Sequence, residues 1–169
     1  MKDLQSLEEA WRALPPAPRE GTVKALVVRL GQGRYENPES ITISAAEGVI
    51  GDRWSSGKRD PRAQVSIMEH RVAELIGEHH WTRVGDNLLV DFDLSEPHLP
   101  AGTRLHVGTA LLEVTDKPHL GCMKFKARFG GDALSWVNDK ATRPRRLRGL
   151  HTRVIEGGVV SVGDAIRRI

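Results

Sequence analysis

Apolar side chains are spaced along this chain mostly at intervals of two, and only in a few places at intervals of three or four. Leu4, Leu7, Trp11 and Leu14 recur every three to four residues, which predicts a short amphipathic helix over residues 3–13. Pro15-Pro16-Ala17-Pro18 ends it and forms a stiff linker to the remainder. From Gly21 onward β-branched and apolar residues dominate. Strands are predicted at 22–30, 40–44, 64–68 and 87–92. A hairpin is predicted around Gly108-Thr109, joining 102–108 to 110–115. The closing stretch 149–169 reads as another tight hairpin, turning at Glu156-Gly157-Gly158 and again at Gly163-Asp164. Helices are predicted at 69–78, with Val72, Leu75 and Ile76 on its apolar side, and at 133–140, anchored by Leu134, Trp136 and Val137.

About eight short strands with Gly-rich turns and three or four helices do not alternate as a parallel α/β sheet requires. The pattern predicts a mainly β fold of the α+β kind: a closed or nearly closed antiparallel β-barrel with a few peripheral helices, since closure removes exposed strand edges. Residues 1–20 read as an N-terminal helix and Pro-rich linker, and residues 21–169 as the barrel domain. Gly31-Gln32-Gly33 has no helix pattern after it and reads as a turn, not a nucleotide fingerprint.

Composition narrows the function classes. At 169 residues, 39% apolar and 28% charged, the chain has the size and make-up of one globular domain. The charged N-terminus is no signal peptide, and no apolar run reaches the ~18 residues of a membrane span, so a cytoplasmic protein is expected. One cysteine among 169 residues rules out an internal disulfide and a cysteine-rich zinc site. His70, His79 and His80 lack acidic or thiol partners at ligand spacing and read as surface or helix-end residues.

Charge is distributed unevenly. Residues 117–153 carry ten Lys and Arg against two acidic residues, a local +8 that leaves the remainder at −5 in a chain of net charge +3. Such a field attracts an anionic ligand or a nucleic acid backbone. Within it lies Lys117-Pro118-His119-Leu120-Gly121-Cys122-Met123-Lys124-Phe125-Lys126-Ala127-Arg128, with the lone cysteine just past a strand end and at the start of one or two helical turns. Neighbouring cations and a helix N-terminus lower a thiol pKa and so favour the nucleophilic, metal-binding thiolate. Burial as a small hydrophobe is the competing reading of Cys122. His119 is a candidate proton donor or acceptor beside the thiol.

Gly51-Asp52-Arg53, Gly85-Asp86-Asn87-Leu88-Leu89-Val90 and the Cys122 segment occur in the order and spacing of MOSC domains, named for the C-terminal domain of molybdenum cofactor sulfurase. Arg148-Gly149 through Glu156-Gly157-Gly158 to Gly163-Asp164 resembles that family's closing segment, so the resemblance spans about residues 22–168. It implies a MOSC, pyruvate-kinase-barrel-like fold with one functional cysteine at the rim. In some members that cysteine ligates the molybdenum of a pyranopterin cofactor and the protein reduces N-hydroxylated compounds; in others it is proposed to carry sulfur as a persulfide. Carried over by position, Cys122 would be the metal ligand or sulfur carrier, and Asp52, Arg53 and Asn87 would lie at the cofactor-binding face. Lys124, Arg128 and Arg148 would counter the cofactor's phosphate. Small bacterial members often have His where this chain has Trp54, whose ring could stack on a flat pterin. With no electron-transfer domain attached, a separate electron or sulfur donor is expected to act alongside a small-molecule substrate. Two alternatives stand beside this reading. One is a metal-free persulfide carrier using Cys122. The other is a basic barrel binding nucleic acid through 143–148, disfavoured because Phe125, Phe129 and Trp136 sit at helix-packing intervals instead of forming a stacking platform.

Overall fold

A computed structural model describes all residues, 1–169. In chain order the strands are β1 (Glu20–Leu26), β2 (Val28–Gly31), β3 (Arg34–Glu36), β4 (Ser40–Ser44), β5 (Gly48–Val49) and β6 (Val65–Glu69). They continue with β7 (Leu88–Asp91), β8 (Arg104–Val107), β9 (Ala110–Val114), β10 (Leu150–Glu156), β11 (Gly158–Ser161) and β12 (Ala165–Arg168). Three helices accompany them: α1 (Leu4–Arg12), α2 (His70–Gly77) and α3 (Met123–Val137).

Seven strands close into a barrel in the order β1-β12-β8-β9-β10-β6-β7. Every pair is antiparallel except β6 with β7, which run parallel because α2 and the turns after it carry the chain back to the start of the sheet. The expectation of a wholly antiparallel barrel is corrected at that one seam. The predicted strand 22–30 is also split. Val27 leaves the barrel ladder, donating its N–H to Asn87 O at 2.9 Å, and β2 turns out to pair with β3. The expected terminal hairpin does not form either: β10 stays in the barrel, while β11 crosses to pair with β4 in a separate three-stranded sheet.

Two apolar clusters explain why some strands read as unbroken hydrophobic runs. Inward-facing Ile67, Leu88, Val90, Leu112 and Ile166 fill the barrel. The residues between them, Met68 and Leu89, point outward and are equally buried, beneath α2 and α3 with Val72, Ile76, Phe129 and Trp136. A strand covered on both faces has no polar alternation to show.

The predicted helix 133–140 is the second half of a longer element. Gly130 (φ +91°, ψ 169°) breaks α3, a conformation open to glycine and costly for other residues, and the chain folds back there. The second half ends at Val137. α1 lies over that half: Leu7 is buried in the outer cluster, and Glu8 accepts from Trp136 Nε1 at 2.9 Å and pairs with Arg145 at 2.9 Å. Arg145 also sits over the Trp11 ring at 4.4 Å.

Candidate functional site

The motifs singled out by sequence converge at one end of the barrel. Asp52, 1% exposed at its side chain, accepts from the backbone N–H of Arg29 at 2.8 Å and from its guanidinium at 2.7 and 3.0 Å. It also accepts from Trp54 N at 3.0 Å and from Asn87 Nδ2 at 3.1 Å. Asn87, fully buried, donates in addition to Val27 O and accepts from Ser66 N. The Gly-Asp-Arg and Gly-Asp-Asn segments are therefore bonded to each other directly. Asp52 and Asn87 lie one layer below the cavity surface, and their shared product is the fixed guanidinium of Arg29, which lines the cavity. Arg53, the next residue, does line it. Burial, and then the nearby charge of Arg29, lower the Arg53 pKa from its ordinary value, a sign of how crowded the positive charge is.

The cavity, of about 370 Å³, is large enough for a small organic ligand. Arg29, Arg34, Arg53, Lys117, Lys124, Arg128 and Arg148 line it, against a single acidic residue, Asp86. Tyr35, Leu120 and Phe125 contribute apolar surface. Trp54 is not among the lining residues; its Nε1 donates to Asp60 O at 3.1 Å, so the pterin-stacking role does not fit its position.

Cys122 sits at the cavity wall with its thiol exposed, as the residue preceding the first turn of α3. Partial burial acts to raise its pKa, but the backbone N–H groups of Phe125 and Lys124 and the charges of Arg148 and Lys124 outweigh it, and the net shift is downward. The core-filler reading of Cys122 is thereby overturned by its exposure.

Behind the cysteine lies a buried polar group. Asp86, 0% exposed, pairs through one oxygen with Arg148 and through the other with His119 Nε2. Burial would raise the Asp86 pKa, but the Arg148 charge and then His119 more than compensate and hold it well below the usual carboxylate range. His119 stacks on His151 with ring centroids 4.1 Å apart and planes at 26°. Burial, and then the positive charge of Arg148, lower the His119 pKa from its ordinary value despite Asp86, whose oxygen is the partner of Nε2. Burial and His119 push His151 down to about 3. Arg148 also donates to Val84 O at 3.2 Å and lies 5.0 Å from the Phe125 ring centroid. Arg29, Asp86 and His151 were not assigned roles from sequence. Asp86 was visible inside the Gly-Asp-Asn motif. The importance of Arg29 depends on a partner 23 residues away, and nothing local marks it.

The MOSC domain model matches residues 68–167. The chain belongs to the MOSC domain family. As a MOSC domain it also shares its fold with solved structures of low sequence identity. YuaD of Bacillus subtilis superposes with a TM-score of 0.58 at 18% identity, covering 87% of this chain and 94% of that one. YiiM of Escherichia coli superposes with a TM-score of 0.61 at 16% identity, covering 88% and 69%. No curated protein matches. No helix of this MOSC domain is long and apolar enough to cross a membrane.

Proposed function

We propose that this MOSC domain binds a molybdenum pyranopterin cofactor through Cys122 and reduces small N-hydroxylated compounds with electrons from a separate protein. The observation that carries the reading is a cationic cavity with an exposed, acidified thiol in its wall and a buried Asp-His pair beside it. The fit to the cofactor rests on its donor set. A soft thiolate suits molybdenum. Arg29, Arg53, Lys124, Arg128 and Arg148 around the cavity suit the pterin phosphate. Two cavity residues also carry buried polar atoms with no partner inside the protein, Arg148 Nε and His151 Nδ1.

When bound, the metal would supply the two-electron couple. Reduction of an N-hydroxyl group to the amine releases water and consumes two electrons and two protons, so the chain must deliver protons where the electrons arrive. His119 is built for that task. With Nε2–H held by Asp86, its Nδ1 is the nitrogen free to take up and give a proton, and Asp86 stabilises the imidazolium formed meanwhile. Asp52 and Asn87 orient Arg29 toward the ligand. A metal-free persulfide carrier would need the thiolate and little else, and the deep cavity and buried proton-handling group favour the reductase reading over it. Against the nucleic acid reading, Arg145 is engaged by Glu8, Arg146 by Leu94 O and Leu99 O, and Arg148 is buried, which leaves Arg143 as the exposed arginine of 143–148. The free thiol fits a reducing cytoplasm.

The test is turnover of an aryl amidoxime by protein from a cofactor-making host, with a reduced viologen as electron source. Turnover should be lost in Cys122→Ala and fall about 10²-fold or more in His119→Phe. A protein with neither molybdenum nor turnover that gains one sulfur atom on Cys122 from a cysteine desulfurase would instead identify the persulfide carrier.

A further inference from the structure

The stretch that carries His119 and leads to Cys122 is a strap with a cavity on each side. The site cavity lies on one face. A second, of about 270 Å³, lies on the other, between the strap and Arg143, Arg146 and Leu150. Lys117, Pro118, His119 and Leu120 line both. A segment flanked by two cavities has little packing to hold its backbone, and its main-chain hydrogen bonds are correspondingly few. Between Asp116 and Gly121 the backbone makes no bond to any other backbone group. It makes two bonds in all, both at Gly121 and both to one side chain: Asn138 Oδ1 accepts from Gly121 N–H at 2.7 Å, and Asn138 Nδ2 donates to Gly121 C=O at 3.0 Å.

We propose that Asn138 is a positioning residue for Cys122, clamping the backbone immediately before it so that the sulfur faces the cavity. The planar amide engages both polar groups of Gly121, which fixes the orientation of the peptide planes on either side, as a strand partner would. Cys122 follows in the chain, and its own C=O accepts only the first helical bond, from Lys126 N–H at 3.0 Å. The break at Gly130 is what makes the clamp possible. A straight helix over the sixteen steps from Cys122 to Asn138 would separate them by roughly 24 Å; the fold-back returns Asn138 to the helix start instead. The fit at Gly121 is close, because a Cβ there would lie 2.7 Å from Leu134 Cδ1 and 3.3 Å from Val137 Cγ2. The clamp does not depend on what the sulfur binds, and its failure would leave the cofactor reading standing.

Cys122 is the sole cysteine, so a methanethiosulfonate nitroxide labels it alone. In wild-type protein the label should give a motionally restricted spectrum. Asn138→Ala should narrow the lines severalfold in correlation time, while Ile166→Val, a comparable destabilisation inside the barrel, should leave them unchanged. An Asn138→Ala spectrum identical to wild type would overturn the proposal, as would narrowing of the same size in Ile166→Val. Hydrogen exchange on the unmutated protein is the second readout and requires no variant to fold. Gly121 N–H should exchange about tenfold or more slowly than the unbonded N–H groups of His119 and Leu120. Exchange of Gly121 as fast as theirs would remove the clamp.

Discussion

Replacing Asp86 by Asn tests whether the buried ion group, and not merely the shape of the site, holds this end of the barrel together. Asp86 is fully buried and its two oxygens meet Arg148 and His119. Asn matches its volume but turns one acceptor into a donor facing a guanidinium, and leaves Arg148, 8% exposed, without a counter-charge. Breaking a buried pair from one side costs about 3–5 kcal/mol. Asn still accepts one bond, so the lower end applies, about 3 kcal/mol, or about 9 °C in a domain of this size. The pH dependence has a definite sign. The folded-state pKa of Asp86 lies below its ordinary value of 3.8, so the stabilisation is fully present above that value and fades as pH falls through the folded one. Urea unfolding from pH 8 to 3.5 should show a constant gap between wild type and Asp86→Asn down to about pH 4, then a narrowing. Arg148→Met should cost a similar amount, and the double variant at least 1–2 kcal/mol less than the two singles added, roughly the coupling of contacting residues. A loss under about 1 kcal/mol for Asp86→Asn, or additivity of the two, would refute the argument that the pair acts as a unit.

Three further outcomes follow from the same geometry. Iodoacetamide should alkylate Cys122 with a pH midpoint below that of a free cysteine, and Lys124→Ala should move the midpoint upward; equal midpoints for protein and free cysteine would contradict the thiolate assignment. His151 is held neutral down to about 3 against an ordinary value of 6.5, so its contribution is intact above pH 6.5 and lost on acidification. His151→Phe keeps the stacking surface on His119 and should flatten the stability-versus-pH slope below 6.5 by up to about 1.4 kcal/mol per pH unit, measured by urea titration, whereas an unchanged slope would place the acid sensitivity elsewhere. Gly149→Ala should abolish soluble expression or cost at least about 3 kcal/mol, since φ is +93° and the new Cβ would fall 2.1 Å from Ile67 O; a variant as stable as wild type would contradict this register of β10 on β6.

Barrel architecture was legible in the sequence because local signals carried it: period-two strands, Gly-rich turns and short helices. What escaped was pairing at a distance. β11 carries the same turn signals whether it folds onto β10 or crosses to β4, and only the surroundings decide between them. Likewise Phe125 to Trp136 reads as helix on both sides of Gly130, but the fold-back shows only when Asn138 meets Gly121. In the site, Cys122, Arg53, Lys124, Arg128, His119 and Arg148 were found by type and position, and all six line the cavity. Asp52 and Asn87 belong to recognisable motifs, yet a motif does not reveal whether a side chain faces the ligand or supports a neighbour that does. Here the neighbour is Arg29, joined to Asp52 across 23 residues of sequence.

Metal content of the purified protein decides whether Cys122 ligates molybdenum. The protein should be produced in a host that makes the molybdenum cofactor, and wild type compared with Cys122→Ser by elemental analysis. Wild type should carry close to one molybdenum per chain and Cys122→Ser about tenfold less or lower still, with both proteins folded to the same stability within about 1 kcal/mol. Equal molybdenum in the two proteins would contradict ligation by Cys122, and none in wild type would contradict the cofactor itself.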